Sequence, residues 1–413
     1  MLPRHNRVVE LHPARVQANA GCLCPVVVSV LPHFLAARDV RRSPARRRRS
    51  VRSAAMLAAP ALTNVLVLAC TGSTTGIPAT VSSPPGVPGV FGPSLLMPQV
   101  AVTATGLYVA WQVSRPGSVV RSELARVDEA SGRVEAARRL GAAFEQAVSA
   151  AGALWVAAST GSIPAAQTLL RLNPDTLQLT GQWRVGTGGG PDWAAQVLVV
   201  AGGGLWAAGG NRLVHLSLPA GTITASIALP GAASSDLSAN AAGTILIVGE
   251  ADSGGRGAVQ RRDPTTGALL AAYPMTGVRA PAVAGPIGSA VWVSEATGMM
   301  GYVQRLAAAT MTAAGSACRD GGTTSTCVEG TNDVTARLAN GLLWITQVAG
   351  GPGRNYCADP VTGRKIAPIE LPQPTQDEVL AITPHRIFYA SPGPAARQYL
   401  RQEAIPSACT ASG

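Results

Sequence analysis

Ala151-Gly152-Ala153-Leu154-Trp155-Val156 is the stretch that decides the fold. A Gly- or Ala-rich turn leads into a short apolar run, usually with an aromatic in its middle. The same pattern recurs at Leu107-Tyr108-Val109, Leu205-Trp206-Ala207, Ile245-Leu246-Ile247, Val291-Trp292-Val293, Leu343-Trp344-Ile345 and Ile387-Phe388-Tyr389. Successive middle residues stand 47, 51, 40, 46, 52 and 44 apart. Short strands repeated at that period are the signature of propeller blades.

Working outward, each copy has similar neighbours. A short apolar strand precedes it, such as Gln146-Ala147-Val148-Ser149. A loop and a third strand follow, as in Leu169-Leu170-Arg171-Leu172. Then comes a tight turn: Asn173-Pro174-Asp175-Thr176, Asp263-Pro264-Thr265-Thr266-Gly267 or Asp359-Pro360-Val361-Thr362-Gly363. Pro presets φ and Gly permits a positive φ, so such turns join antiparallel strands. A fourth alternating strand, for example Thr222 to Ile227, ends the unit. The expected fold is all-β: a seven-bladed β-propeller of four-stranded antiparallel blades, A to D from the axis outward, over residues 97–413. The recurring ring is expected to fill the wedge between blades. Leu246 is expected at that place in blade 4 and Phe388 in blade 7.

The pattern resembles the extracellular propellers of the YVTN, NHL and streptogramin-lyase-like superfamily. The resemblance implies a ligand- or protein-binding platform more often than an enzyme. Streptogramin-lyase-type catalysis, as that resemblance implies it, needs a histidine base near the central face. His215, on an outer strand of blade 3, and His385, in a turn of the opposite face, do not match such a position. No catalytic residue is therefore carried over.

The formal net charge of +11 suggests a nucleic-acid partner until its distribution is read. The first 69 residues hold 11 arginines and two acids, which leaves 22 basic and 20 acidic residues for the rest. A nearly neutral domain has no general field for phosphate backbones, so no nucleic acid is expected. Arg46 to Arg49 precede an apolar run from Ala54 to Ala69, then Cys70. A basic flank, a short apolar stretch and a small residue describe a secretory signal over 51–69. The run is broken by Pro60 and is short for a bilayer span. With cysteine directly after the small residue, the segment resembles a bacterial lipoprotein signal, which implies a lipidated Cys70. Residues 70–96, rich in Gly, Ser, Thr and Pro, read as a flexible tether. Residues 1–50 are expected to be a gene-model extension or a basic tail. Lys365 is the one lysine of the chain, a composition expected of a GC-rich genome such as an actinobacterium's.

Beyond Cys70 four cysteines remain, an even number for an oxidising compartment. Cys318 and Cys327 are expected to staple a loop in the link between blades 5 and 6. By elimination Cys357 pairs with Cys409. Zinc fails on spacing, with no Cys-x-x-Cys and no nearby His beyond Cys70.

In a meander the B–C and D–A connections share one face, and the A–B and C–D turns share the other. The longer loops, 112–122, 159–167, 250–257 and 347–355, belong to the first face, which is the expected functional one. Acids lie near inner-strand starts there: Glu145, Asp192, Asp236, Asp333 and Asp377 with Glu378. Glu250, Glu295 and Gln347 lie at strand ends on the same face. One reading is a carboxylate-rimmed channel mouth that binds a cation, a basic peptide or another polar ligand. The other is local backbone bonding by Asp and Asn before a strand. No cofactor is expected, with calcium or magnesium the ion such a ring would suit. The sequence favours a surface-anchored, monomeric, extracytoplasmic lipoprotein that binds a protein, peptide or envelope glycan without turnover. The alternative is a lyase or hydrolase working at the channel mouth with carboxylates and a divalent ion.

Overall fold

The computed structural model describes Leu95 and residues 97–410, apart from loop stretches 114–120, 160–165, 188–196, 210–211, 230–231, 253–255, 277–281, 298–299, 315–326, 332–333, 348–354, 374–376 and 394–396. These residues form seven antiparallel sheets, each with its strands in chain order, and the innermost strands touch their neighbours round the ring. The protein is a seven-bladed β-propeller.

Burial explains the composition of each strand. Strand B of blade 2, Ala153–Ser159, is buried on both faces along almost its whole length, and so is strand B of blade 3, Gly204–Gly209. Such strands must be apolar throughout. Outer strands such as Val134–Arg139 and Ile223–Ala228 alternate between exposed and half-buried positions, and there the charges and the exposed aliphatics collect.

The recurring aromatics fill the seams. Tyr108, Trp155, Trp206, Trp292, Trp344 and Phe388 are all buried, each packed with apolar residues of the following blade. Trp206 Nε1 donates to the Pro264 carbonyl at 2.7 Å, Trp292 Nε1 to Pro360 at 2.7 Å, and Tyr108 Oη to Pro174 at 3.0 Å. Those prolines sit in the C–D turns of the next blade, so the two repeated motifs are partners across a seam. The turns are rigid receivers: Asp263 Oδ1 accepts the amides of Thr265 and Thr266, and Asp359 Oδ1 those of Val361 and Thr362. In blade 4 the expected register is off by one. Leu246 faces back toward blade 3, and Ile247 holds the place of the aromatic in the seam with blade 5. Both residues are aliphatic, so no ring marked the correct face.

Blade 5 departs from the expected loop plan. Cys327–Thr331 is no inter-blade link. It pairs with Met300–Gln304 and completes the outer strand that Thr312–Ala313 begins. The stretch 315–326 therefore interrupts an outer strand. Cys318 lies within it, outside the described residues, so its expected bond to Cys327 does too. Cys357 and Cys409 are joined by a disulfide, which holds the 3-10 turn Ser407–Cys409 against blade 6.

Among the described residues blade 7 has three strands, Glu378–Ile382, Arg386–Pro392 and Gln398–Ala404. Leu95 exchanges two backbone hydrogen bonds with Gln398, each 2.7 Å long. The two sides of the chain thus meet in blade 7.

Candidate functional site at the channel mouth

The inner strands begin on the long-loop face, and their channel-side edges carry backbone groups that need partners. The structure supplies them from the preceding blade. Ser122 Oγ accepts the Phe144 amide at 2.9 Å, Gln146 Oε1 the Leu198 amide, Asp236 Oδ2 the Val283 amide at 2.7 Å, and Ser294 Oγ the Ala336 amide at 3.4 Å. Between blades 6 and 7 the polarity reverses, and Arg337 Nη1 donates to the Val379 carbonyl. Each target lies at the second or third residue of an inner strand. A polar side chain at these places stitches one blade to the next.

Asp236 is the charged acceptor of the series. Its second oxygen accepts the Leu237 amide at 2.8 Å. Asp236 and Arg337 are half-buried. Burial pushes the Asp236 carboxyl up to about 6, against the pull of the Val283 and Leu237 amides and of Arg337. Burial also lowers Arg337, while Glu378 and Asp236 pull it the other way. Asp236 of blade 4, Arg337 of blade 6 and Glu378 of blade 7 are thus electrostatically linked, both acids favouring the Arg337 charge.

The other expected residues divide. Glu145 sits at a bulge in the inner strand of blade 2 and accepts from Ser159 Oγ. Burial raises its carboxyl, and the Ser159 bond opposes that shift. Asp377 is buried and spent on its surroundings: Oδ1 accepts from Ser391 at 2.6 Å and Oδ2 from the Gln373 amide at 2.9 Å. Glu250 lies on the strand face that looks toward blade 3. It accepts from Gln260 Nε2, and Gln260 in turn accepts from Arg262 at 2.7 Å. Burial raises Glu250, with Arg262 and Gln260 opposing. Glu295 and Gln347 lie on the second strands of blades 5 and 6, Ala290–Thr297 and Leu342–Gln347. Asp192 and Asp333 lie outside the described residues. Among the described residues no three His, Cys, Asp or Glu side chains cluster as metal ligands would.

Sequence reasoning passed over Ser122, Gln146, Ser294 and Arg337. Three of them are neutral, and Arg337 is a cation on a face expected to carry acids. Gln146 and Arg337 are each the fourth residue of an inner strand, whereas Ser122 opens the third strand of blade 1 and Ser294 lies in the second strand of blade 5, so no single repeat position marks them. His215 is buried, stacked on Trp206 with centroids 4.5 Å apart, and its Nδ1 meets Thr224 Oγ1 at 2.8 Å. Burial lowers it. His385 is exposed on the short-turn face.

No protein-family model matches this chain, and no curated protein is similar to it. Among solved structures it is similar to one titled "Structure of Dos1 propeller" at 12% identity, covering 76% of this chain and 86% of that one, with a TM-score of 0.45. At that level neither the partners nor the chemistry of the other protein transfers to this chain. The propeller architecture, read from this chain's own sheets, is a scaffold that hosts many unrelated functions.

Proposed function

We propose that this protein is an exported lipoprotein, anchored through Cys70, whose propeller is a non-catalytic platform for a protein, a peptide or an envelope glycan. One observation carries the binding reading. Three of the described candidate carboxylates are committed to holding the fold: Asp236 to two amides, Asp377 to a serine and an amide, Glu145 to Ser159. General acid–base work needs a side chain within reach of the substrate proton. His215 is packed in a blade seam and His385 lies on the far face. The long loops on one face of a rigid ring suit recognition.

The test is a thermal-shift titration of the purified exported chain against envelope glycans, basic peptides and divalent ions. Each ligand is recovered afterwards for mass analysis. A saturable shift with the ligand returned intact supports the platform. A cleaved or eliminated product moves the protein to the lyase or hydrolase reading. The anchor is tested separately: Cys70→Ser should release the protein from the membrane fraction and abolish incorporation of a fatty-acid label.

A further inference from the structure

The seam between blades 1 and 2 holds a cleft of about 190 Å³. It lies beside the connection 140–142, which joins the outer strand of blade 1 to the inner strand of blade 2. Part of its lining is apolar: Leu140, Ala158 and Leu170 belong to the buried cluster of this seam. Polar residues line it too, Arg138 from blade 1, and Thr168 and Gln182 from the outer two strands of blade 2, Ala166–Leu172 and Leu179–Thr187. Strand pairing adds Arg184. It stands opposite Thr168 and two residues on from Gln182, so it shares their face of the blade. Trp183, between the two, turns the other way, onto Trp155 in the seam with blade 3.

The charge of this cleft is one-sided. Arg138 reaches across the seam and gives one N–H to the Leu177 carbonyl at 3.2 Å, which leaves the rest of its guanidinium unspent. Arg184 is exposed and has no hydrogen bond or ion pair among the described residues. No acidic side chain lines the cleft among the described residues. Glu135 and Asp175, acids of the same two blades, are paired with Arg126 instead. We propose that the cleft binds a small carboxylate with an apolar body, whose charge Arg138 and Arg184 hold. Guanidinium groups bind carboxylates through paired, charge-assisted N–H bonds. An apolar cavity of about 150 Å³ takes one benzene ring, so this cleft has room for a single ring or branched aliphatic group below its carboxylate. That chemistry is shared by a free aromatic acid and by the last residue of a peptide. The site is built mainly on outer strands, apart from the inner-strand groups of the channel mouth. It rests on neither the lipoprotein reading nor the channel-mouth reading.

The test is a titration of the purified exported chain, followed by ligand-observed NMR. The probes are benzoate and benzamide, then N-acetyl-glycyl-phenylalanine and its C-terminal amide. At least one of the two acids is expected to saturate the protein, with its amide about tenfold weaker for want of the charge. The tighter of the two acids distinguishes a free acid from a chain terminus as the source. Arg138→Gln or Arg184→Glu should weaken that acid about tenfold. Arg184 has no described contact to lose, so its variant stays informative if Arg138→Gln melts early. Three results overturn the proposal: no saturation by either acid, equal binding of acid and amide, or an affinity unchanged in both variants.

Discussion

Replacing Trp292 by alanine tests whether the repeated ring is a wedge. The indole is 1% exposed, packs with Val303, Leu343 and Ile345, and donates to the Pro360 carbonyl across the seam at 2.7 Å. Large-to-small changes of a buried Trp cost about 3–5 kcal/mol. A domain of roughly 310 residues has an unfolding entropy near 0.65 kcal/mol/K, so Tm should fall by about 5–8 °C. Trp292→Phe keeps most of the volume and loses the donor. It leaves the buried Pro360 carbonyl unpaired, at about 1–3 kcal/mol, or roughly 2–5 °C. Calorimetry on the three proteins gives the order wild type, Phe, Ala. A Trp292→Ala protein that melts within about 2 °C of wild type would refute the wedge argument.

Three further outcomes follow from the geometry. The Asp236 carboxyl titrates at about 6 in the fold against its ordinary 3.8, so the folded state holds that proton more tightly than the unfolded one. Its contribution is most favourable below pH 3.8 and is lost as pH rises through 6, by at most about 3 kcal/mol. Asp236→Asn should flatten the Tm–pH curve between those values, and an unchanged curve would show that Asp236 does not set it. Cys357 and Cys409 are 52 residues apart, and closing a loop of that size is worth about 4 kcal/mol in the chain-entropy account. Cys409→Ser should lower Tm by about 6 °C, and an equal melting point with and without reductant would contradict this. Gly202 has φ +61 and a Cβ there would strike the Pro264 carbonyl, whereas Gly152 has φ +72 and open space around it. Gly152→Ala should cost about 1–2 kcal/mol of backbone strain, and Gly202→Ala clearly more, as read by urea denaturation.

Much of the architecture was legible because its causes are local. A period of 40–52 residues, a ring on six of the seven second strands and Asx-Pro turns in several blades act through nearest neighbours, and together they specify seven antiparallel sheets. The misreadings occurred where the local signal was silent. Ile245, Leu246 and Ile247 offer three equivalent aliphatics, so the seam-facing residue of blade 4 could not be chosen without the neighbouring blade. The excursion after Ala313 resembles a linker in sequence. It is an interruption of an outer strand, because Cys327–Thr331 returns to the same edge.

The candidate site was legible only in outline. Glu378 opens an inner strand and Glu145 is third in one, whereas Asp236 is the fifth residue of Ala232–Ala239. Which atoms they serve was not readable, since Val283 is 47 residues from Asp236 and Arg337 is further still. By itself the sequence determined the blade, because a meander's strands, turns and seam-filling ring are set by short-range periodicity. Only the tertiary structure decided what the polar groups do. Ring closure brings residues from different blades to one axis, where a carboxylate's partners depend on which inner-strand amides are left unpaired.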